Sequence, residues 1–207
     1  MSAVNEAIAR EYFEVLGYLV SQPCKYTPAR HKKADEELDL LIIHPQVREH
    51  QVPDRLVWTS ADLRTVARAV VGVRGWHTDR FYAATFEQTP EMLRFAERAA
   101  RRAAAERLGA EPVAAILCLP ELPASGELKE KTLRALKERG IDGVLSFRTM
   151  LQELVAKVDI NRNYDKSDML QMLRILKTYG LVRDPQMELF GRRARKSKDV
   201  PAPVVAE

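Results

Sequence analysis

Three short apolar runs constrain this chain's fold more than any other feature. Leu38-Asp39-Leu40-Leu41-Ile42-Ile43, Val70-Val71-Gly72-Val73 and Val113-Ala114-Ala115-Ile116-Leu117-Cys118-Leu119 are almost continuous in apolar residues, the pattern of strands buried on both faces. Each ends at a turn signal: His44-Pro45, Gly75 and Pro120. None approaches the roughly 20 residues needed to cross a bilayer.

The intervening segments carry helical spacing. Val4, Ile8, Tyr12, Val15 and Leu19 predict a helix to about Gly17. Residues 18–26 are β-prone but interrupted by Pro23, which suits an edge strand or a strand with a break; a basic loop, 30–33, follows. Ser60-Ala61-Asp62-Leu63 reads as a cap leading into a helix to about Ala69, with a strand over 70–74. Thr89-Pro90-Glu91 opens a long helix to Leu108, stopped by Gly109. A helix over 127–139 stopped by Gly140, a strand Gly143-Val144-Leu145, a helix over 147–158, a polar turn over 161–166 and a helix over 169–179 closed by Gly180 complete the order. The expected class is α/β: a central mixed sheet flanked by helices over 1–158, a helical extension over 159–184, and a flexible tail over 185–207 that lacks periodicity.

With 207 residues and 46% hydrophobic content the chain can build a sizeable core. Its 33 basic and 29 acidic residues leave a net charge of +4, which permits an acidic partner without requiring one. Cys24 and Cys118 stand far apart in apolar surroundings, excluding a disulfide framework and a CxxC metal site and fitting a reducing cytoplasm. No membrane partner is expected, and no P-loop, dinucleotide or nucleophile-elbow motif is present.

An N-terminal helix ending in Gly17-Tyr18-Leu19-Val20, a strand opening Glu37-Leu38-Asp39-Leu40-Leu41, and a strand Val71-Gly72-Val73-Arg74-Gly75-Trp76 together resemble the PD-(D/E)xK, or restriction-endonuclease-like, nuclease superfamily over about residues 5–158. In active members an aspartate opening one strand and an acid on the next hold a divalent cation, and a lysine two residues later orients or activates water. Oxygen ligands suit Mg²⁺, which lowers the pKa of bound water and steadies phosphate charge. Asp39 matches the first role. Gly72 stands at the acid position and Arg74 at the lysine position, so the resemblance implies a degenerate site. Arg74 keeps a cation for phosphate but is a poor base. A displaced acid, Glu6 on the first helix, Glu14 or Glu37, would be needed with Asp39 to hold Mg²⁺; otherwise no cofactor is expected.

Beyond the last helix, Gln186-Met187-Glu188-Leu189-Phe190 resembles the QLxLF peptide by which bacterial replication and repair proteins hold the β sliding clamp. Gln186, Met187, Leu189 and Phe190 would enter a groove on that partner, unless Leu189 and Phe190 fold back onto the domain. The basic run Arg192, Arg193, Arg195, Lys196 and Lys198 follows directly and suits salt-sensitive phosphate contact, as it suits a solvated tail. Arg94, Arg98, Arg101, Arg102 and Arg107 form a surface stripe, and residues 169–182 a packing helix at a sheet edge. His44 and His77 lie at strand ends without metal-ligand spacing. The leading expectation is a cytoplasmic DNA repair or replication accessory protein, nuclease-like but catalytically degenerate, that contacts DNA through Arg74 and the basic tail. The alternatives are an active Mg²⁺-dependent nuclease using Asp39 and a displaced acid, and a protein-interaction domain without nucleic acid.

Overall fold

The computed structural model describes residues 3–22, 38–75 and 80–182. Five strands form one mixed sheet in the order β1 (Leu19–Ser21), β2 (Leu40–Ile43), β3 (Arg68–Val73), β4 (Ala114–Leu119) and β5 (Gly143–Ser146). β2 runs antiparallel to both neighbours, while β3, β4 and β5 are parallel. The apolar runs at 38–43, 70–73 and 113–119 thus become the three central strands. β4 is buried at every position, as a strand covered on both faces must be. The outer edge of β5 is covered by residues 56–58: the Trp58 amide donates to the Val144 carbonyl at 2.9 Å and the Val144 amide to Leu56 at 2.7 Å.

Side-chain alternation along the strands divides the interior into two apolar layers. Leu40, Ile42, Val71, Val73, Ile116, Cys118 and Leu145 face α1 (Ala3–Val15), α5 (Phe147–Lys157) and α6 (Asp168–Thr178). Leu41, Val70, Ala115, Leu117 and Leu119 face residues 90–96, α3 (Arg98–Leu108) and α4 (Gly126–Glu138). The sequence places α6 in an extension, and its Leu170 joins the first of these layers. Lys177 Nζ donates to the Val155 and Val158 carbonyls at 2.9 and 2.8 Å, holding α6 across the end of α5, where carbonyls lack helical partners.

Two predicted helices differ from what forms. Instead of a helix over 60–69 there is a single 3₁₀ turn, Asp62–Thr65, and β3 already begins at Arg68. Tyr18 Oη lies 2.7 Å from both the Leu63 and Val66 carbonyls, taking up the acceptors that a continuing helix would use. The predicted long helix 90–108 is two pieces: a 3₁₀ segment over Pro90–Ala96, an extended Glu97 (φ −63°, ψ 154°), and then α3. Met92, Leu93, Phe95 and Ala96 of the first piece are all buried, and the Phe95 ring packs on β3 at Gly72. A short helix absent from the sequence reading, α2 (Ala83–Gln88), precedes it and buries Phe86. Among the described residues, no helix is long and apolar enough to cross a membrane.

Candidate functional site

Strand register brings the sequence-predicted residues together. Leu40 pairs with Val71, so Asp39, one residue earlier, stands opposite Gly72. Arg74 lies two residues beyond Gly72. On a pleated strand those three positions share one face. This is the arrangement expected of an acid, a second acid and a lysine, and here it holds an acid, a glycine and an arginine.

The side chains close on one another. Asp39 Oδ2 accepts the Val73 amide at 2.8 Å and a short hydrogen bond from Arg74 Nη1. The side chains of Arg74 and Asp39 are only 12% and 9% exposed, so this is an ion pair inside the protein rather than on its surface. Arg74 Nε donates to the Met92 carbonyl and Nη1 to the Val73 carbonyl, both at 2.8 Å. The Arg74 Cζ lies 5.4 Å from the centroid of the Phe95 ring, within cation–π range. Several of the guanidinium's five N–H donors are therefore directed into the protein.

Phe95 explains Gly72. The ring is fully buried, and a Cβ added at Gly72 would sit 2.2 Å from Phe95 Cε1. No side chain fits there while the ring stays, least of all a carboxylate. A glycine inside a strand is a sign of close approach, and here the approaching group is Phe95 from the broken segment 90–96. Gly75 is constrained in the same way: Asn5 Nδ2 donates to the Gly75 carbonyl at 2.8 Å, and a Cβ at Gly75 would lie 1.7 Å from that nitrogen. Asn5 is 2% exposed and ties α1 to the end of β3. Phe95, Met92 and Asn5 escaped the sequence reading. The internal glycine of β3 was the one signal that pointed to such a neighbour.

Glu6 lies one residue along α1 from Asn5. Burial raises its pKa, and the charge of Asp39 raises it further, while the N-terminal amine and Arg74 pull it back. Gln22 Nε2 donates to Glu6 Oε2 at 3.3 Å. Glu6 thus shares the electrostatic neighbourhood of Asp39. Glu14 has a different one: burial and then Glu11, on its own helix, raise its pKa. Burial pushes the Cys118 thiol far up, with Asp39 adding to the effect, so it is not a nucleophile.

His44 stands at the other end of β2 from Asp39, its ring edge-on to Tyr18 with centroids 4.9 Å apart, and its Nδ1 accepts the Gln46 amide at 3.2 Å. Of the arginine stripe, Arg101 turns inward, donating to the Gly140 and Val113 carbonyls and pairing with Asp142 at 2.9 Å. Glu37, Trp76, His77, the peptide Gln186 to Phe190 and the basic residues Arg192, Arg193, Arg195, Lys196 and Lys198 lie outside the described residues.

The residues present do not fit the divalent cation that the resemblance implies. Asp39 already has a full positive charge against it, and the space for a second carboxylate on β3 is filled by Phe95. What the arrangement can do chemically is hold a fixed, always-protonated cation at the end of β3. Comparison of the chain with family models, with curated proteins and with solved structures returns no match.

Proposed function

We propose that this protein is a DNA-associated accessory factor of repair or replication, with a nuclease-like site that does not cut and whose Arg74, paired with Asp39 and 12% exposed, leaves the DNA contact to other basic residues. The observation that carries the reading is the Asp39–Arg74 ion pair beneath the Phe95 ring. It stands where the resemblance puts a metal-binding centre. A guanidinium neutralises the aspartate as a metal would, yet it coordinates no water and cannot lower the pKa of one. The site therefore keeps its charge balance and loses its nucleophile. The mixed sheet with helices on both faces and Asp39 opposite Gly72 support a restriction-endonuclease-like arrangement.

In this reading the peptide Gln186 to Phe190 tethers the chain to the β sliding clamp, and the basic run after it adds phosphate contact. Tethering raises local concentration at DNA without new contacts in the folded domain. Clamp pull-down tests the tether: binding is lost when Leu189 and Phe190 become alanine, and unchanged binding refutes it. Anisotropy with labelled duplex and single-stranded DNA tests the DNA contact, which weakens as salt rises. Absence of both interactions would favour a protein-interaction domain.

A second reading, an active Mg²⁺-dependent nuclease, has one feature in its favour: after burial, the charge of Asp39 helps to raise the pKa of Glu6. It requires Mg²⁺-dependent cleavage by the wild type that disappears in Asp39→Ala. No cleavage of branched, duplex or single-stranded substrates is the outcome expected here.

A further inference from the structure

We infer that a cleft at the C-terminal ends of β4 and β5 is a contact site for the phosphodiester backbone of nucleic acid. The inference deepens the DNA-binding reading above and rests on it. The cleft has a volume of about 260 Å³; half of its lining residues are apolar, and the others are Arg80, Lys129 and Arg148, with Ser146, Thr149 and the single acid Glu121. Three cations face one carboxylate, and they come from three separate parts of the chain: the segment entering α2, the first turn of α4, and the first turn of α5.

The cations are only loosely engaged. Arg80 Nε and Arg148 Nη2 each lie 3.8 Å from a different oxygen of Glu121, with the side chains of Arg80, Arg148 and Glu121 47%, 73% and 49% exposed. Exposed pairs at this distance contribute little and exchange readily. Lys129 is half-buried in the cleft wall and has no carboxylate partner among the described residues. A cation that lines a cleft without an anion to pair with is the feature that points to a ligand of negative charge. Ser146 and Thr149 place hydroxyls at the same wall, and α5 begins there, so its dipole adds to the positive field.

Position selects an extended polyanion over a small one. The register pairs Val73 with Cys118, Cys118 with Leu145 and Leu119 with Ser146, so Arg74, Leu119 and Ser146 form one row at one end of the sheet. Neighbouring strands lie about 4.8 Å apart, so this row spans about 10 Å, the axial length of roughly three nucleotides. The cleft and the neutralised Asp39 centre therefore lie at the same end of the sheet.

The test uses the full chain and labelled duplex and single-stranded DNA, with affinity measured by anisotropy across roughly 50 to 200 mM salt. In the triple variant Arg80→Gln, Lys129→Gln, Arg148→Gln, affinity falls by a similar factor for every sequence. The slope of log affinity against log salt shrinks by about 2 to 3, close to one per lost phosphate contact. Glu121→Gln tightens binding. If wild type binds DNA and the triple variant keeps its affinity and slope, this site is wrong while the DNA-binding reading stands. If wild type binds no DNA, both are wrong. Should the triple variant melt below wild type, Glu121→Gln decides: tighter binding supports the site and unchanged binding overturns it.

Discussion

Removing Arg74 should be among the most damaging single changes at this site, and the size of the effect follows from its surroundings. Arg74→Met keeps most of the side-chain volume and deletes the charge. Asp39, 9% exposed, is then left as a buried carboxylate with only the Val73 amide donating to it among the described residues. Breaking a buried pair in this way costs about 3–5 kcal/mol, and the Met92 carbonyl loses its donor for about a further 1 kcal/mol. Against a typical stability of about 5–15 kcal/mol this is a large fraction. The double variant Asp39→Asn, Arg74→Met removes the stranded charge while the carboxamide oxygen that replaces the carboxylate still accepts the Val73 amide, so it should recover about half of the loss or more. Urea unfolding at neutral pH, followed by fluorescence of the buried Trp58, measures the full cycle. If Arg74→Met lies within about 1 kcal/mol of wild type, below the range for a broken buried pair, the ion pair is not the structural centre described here. A double variant no more stable than Arg74→Met refutes the same reasoning from the other side.

Three further expectations follow from neighbouring contacts. Gly72→Glu pushes a side chain into Phe95 and should lower stability by about 1–3 kcal/mol or more; Phe95→Ala in the same chain should recover part of that loss even though alone it costs about 3–5 kcal/mol, a sign reversal that thermal melts of the four chains would reveal. His50 has a lowered pKa, first from burial and then from Arg68. Its Nδ1 accepts the Ala67 amide at 3.1 Å, and its Nε2 is buried without a partner in the described structure. Its contribution is present above the unfolded value of about 6.5 and is lost as pH falls through that value towards the lower folded one, so His50→Asn should flatten the decline in urea midpoint between about pH 7 and 5. Glu6 has a raised pKa, so its ionisation opposes folding. Glu6→Gln should stabilise at neutral pH, with the gain vanishing as pH falls below the ordinary glutamate value of 4.5; an equal gain at every pH would mean the effect is not electrostatic.

Most of the sheet was legible because continuous apolar runs leave few options. Leu38 to Ile43, Val70 to Val73 and Val113 to Leu119 each became a central strand, and helices ended at Gly17, Gly109, Gly140 and Gly180, all with positive φ. The misreadings have a common origin. Over 60–69 and 90–108 local signals favour a helix, but tertiary contacts decide the outcome: Tyr18 captures the Leu63 and Val66 carbonyls, and the sheet draws Phe95 onto Gly72. Propensity and caps cannot register a partner that is far away in the chain. For the same reason Asp39 and Arg74 could be placed near each other from strand pattern alone, while the ring that packs over Gly72 could not.

Gly72, Phe95, Arg74 and Asp39 depend on one another, so a change at any single one of these positions disturbs the others. Without a Cβ at Gly72 the Phe95 ring reaches the sheet. With the ring there, no second carboxylate can join Asp39, and a divalent cation loses half its protein ligands. Asp39 then needs another positive charge. The planar, forked guanidinium of Arg74 supplies it while also reaching the Met92 carbonyl and facing the ring. Lysine, a compact ammonium without that fork, would satisfy fewer of these contacts at once. Gly72→Glu alone meets Phe95, Arg74→Lys alone weakens the pairing of Asp39, and Phe95→Ala alone opens a cavity. If this packing is what excludes the metal, a folded chain carrying Gly72→Glu, Arg74→Lys and Phe95→Ala should bind Mg²⁺ through Asp39 more tightly than wild type does, and equal affinity in the two chains would refute the argument.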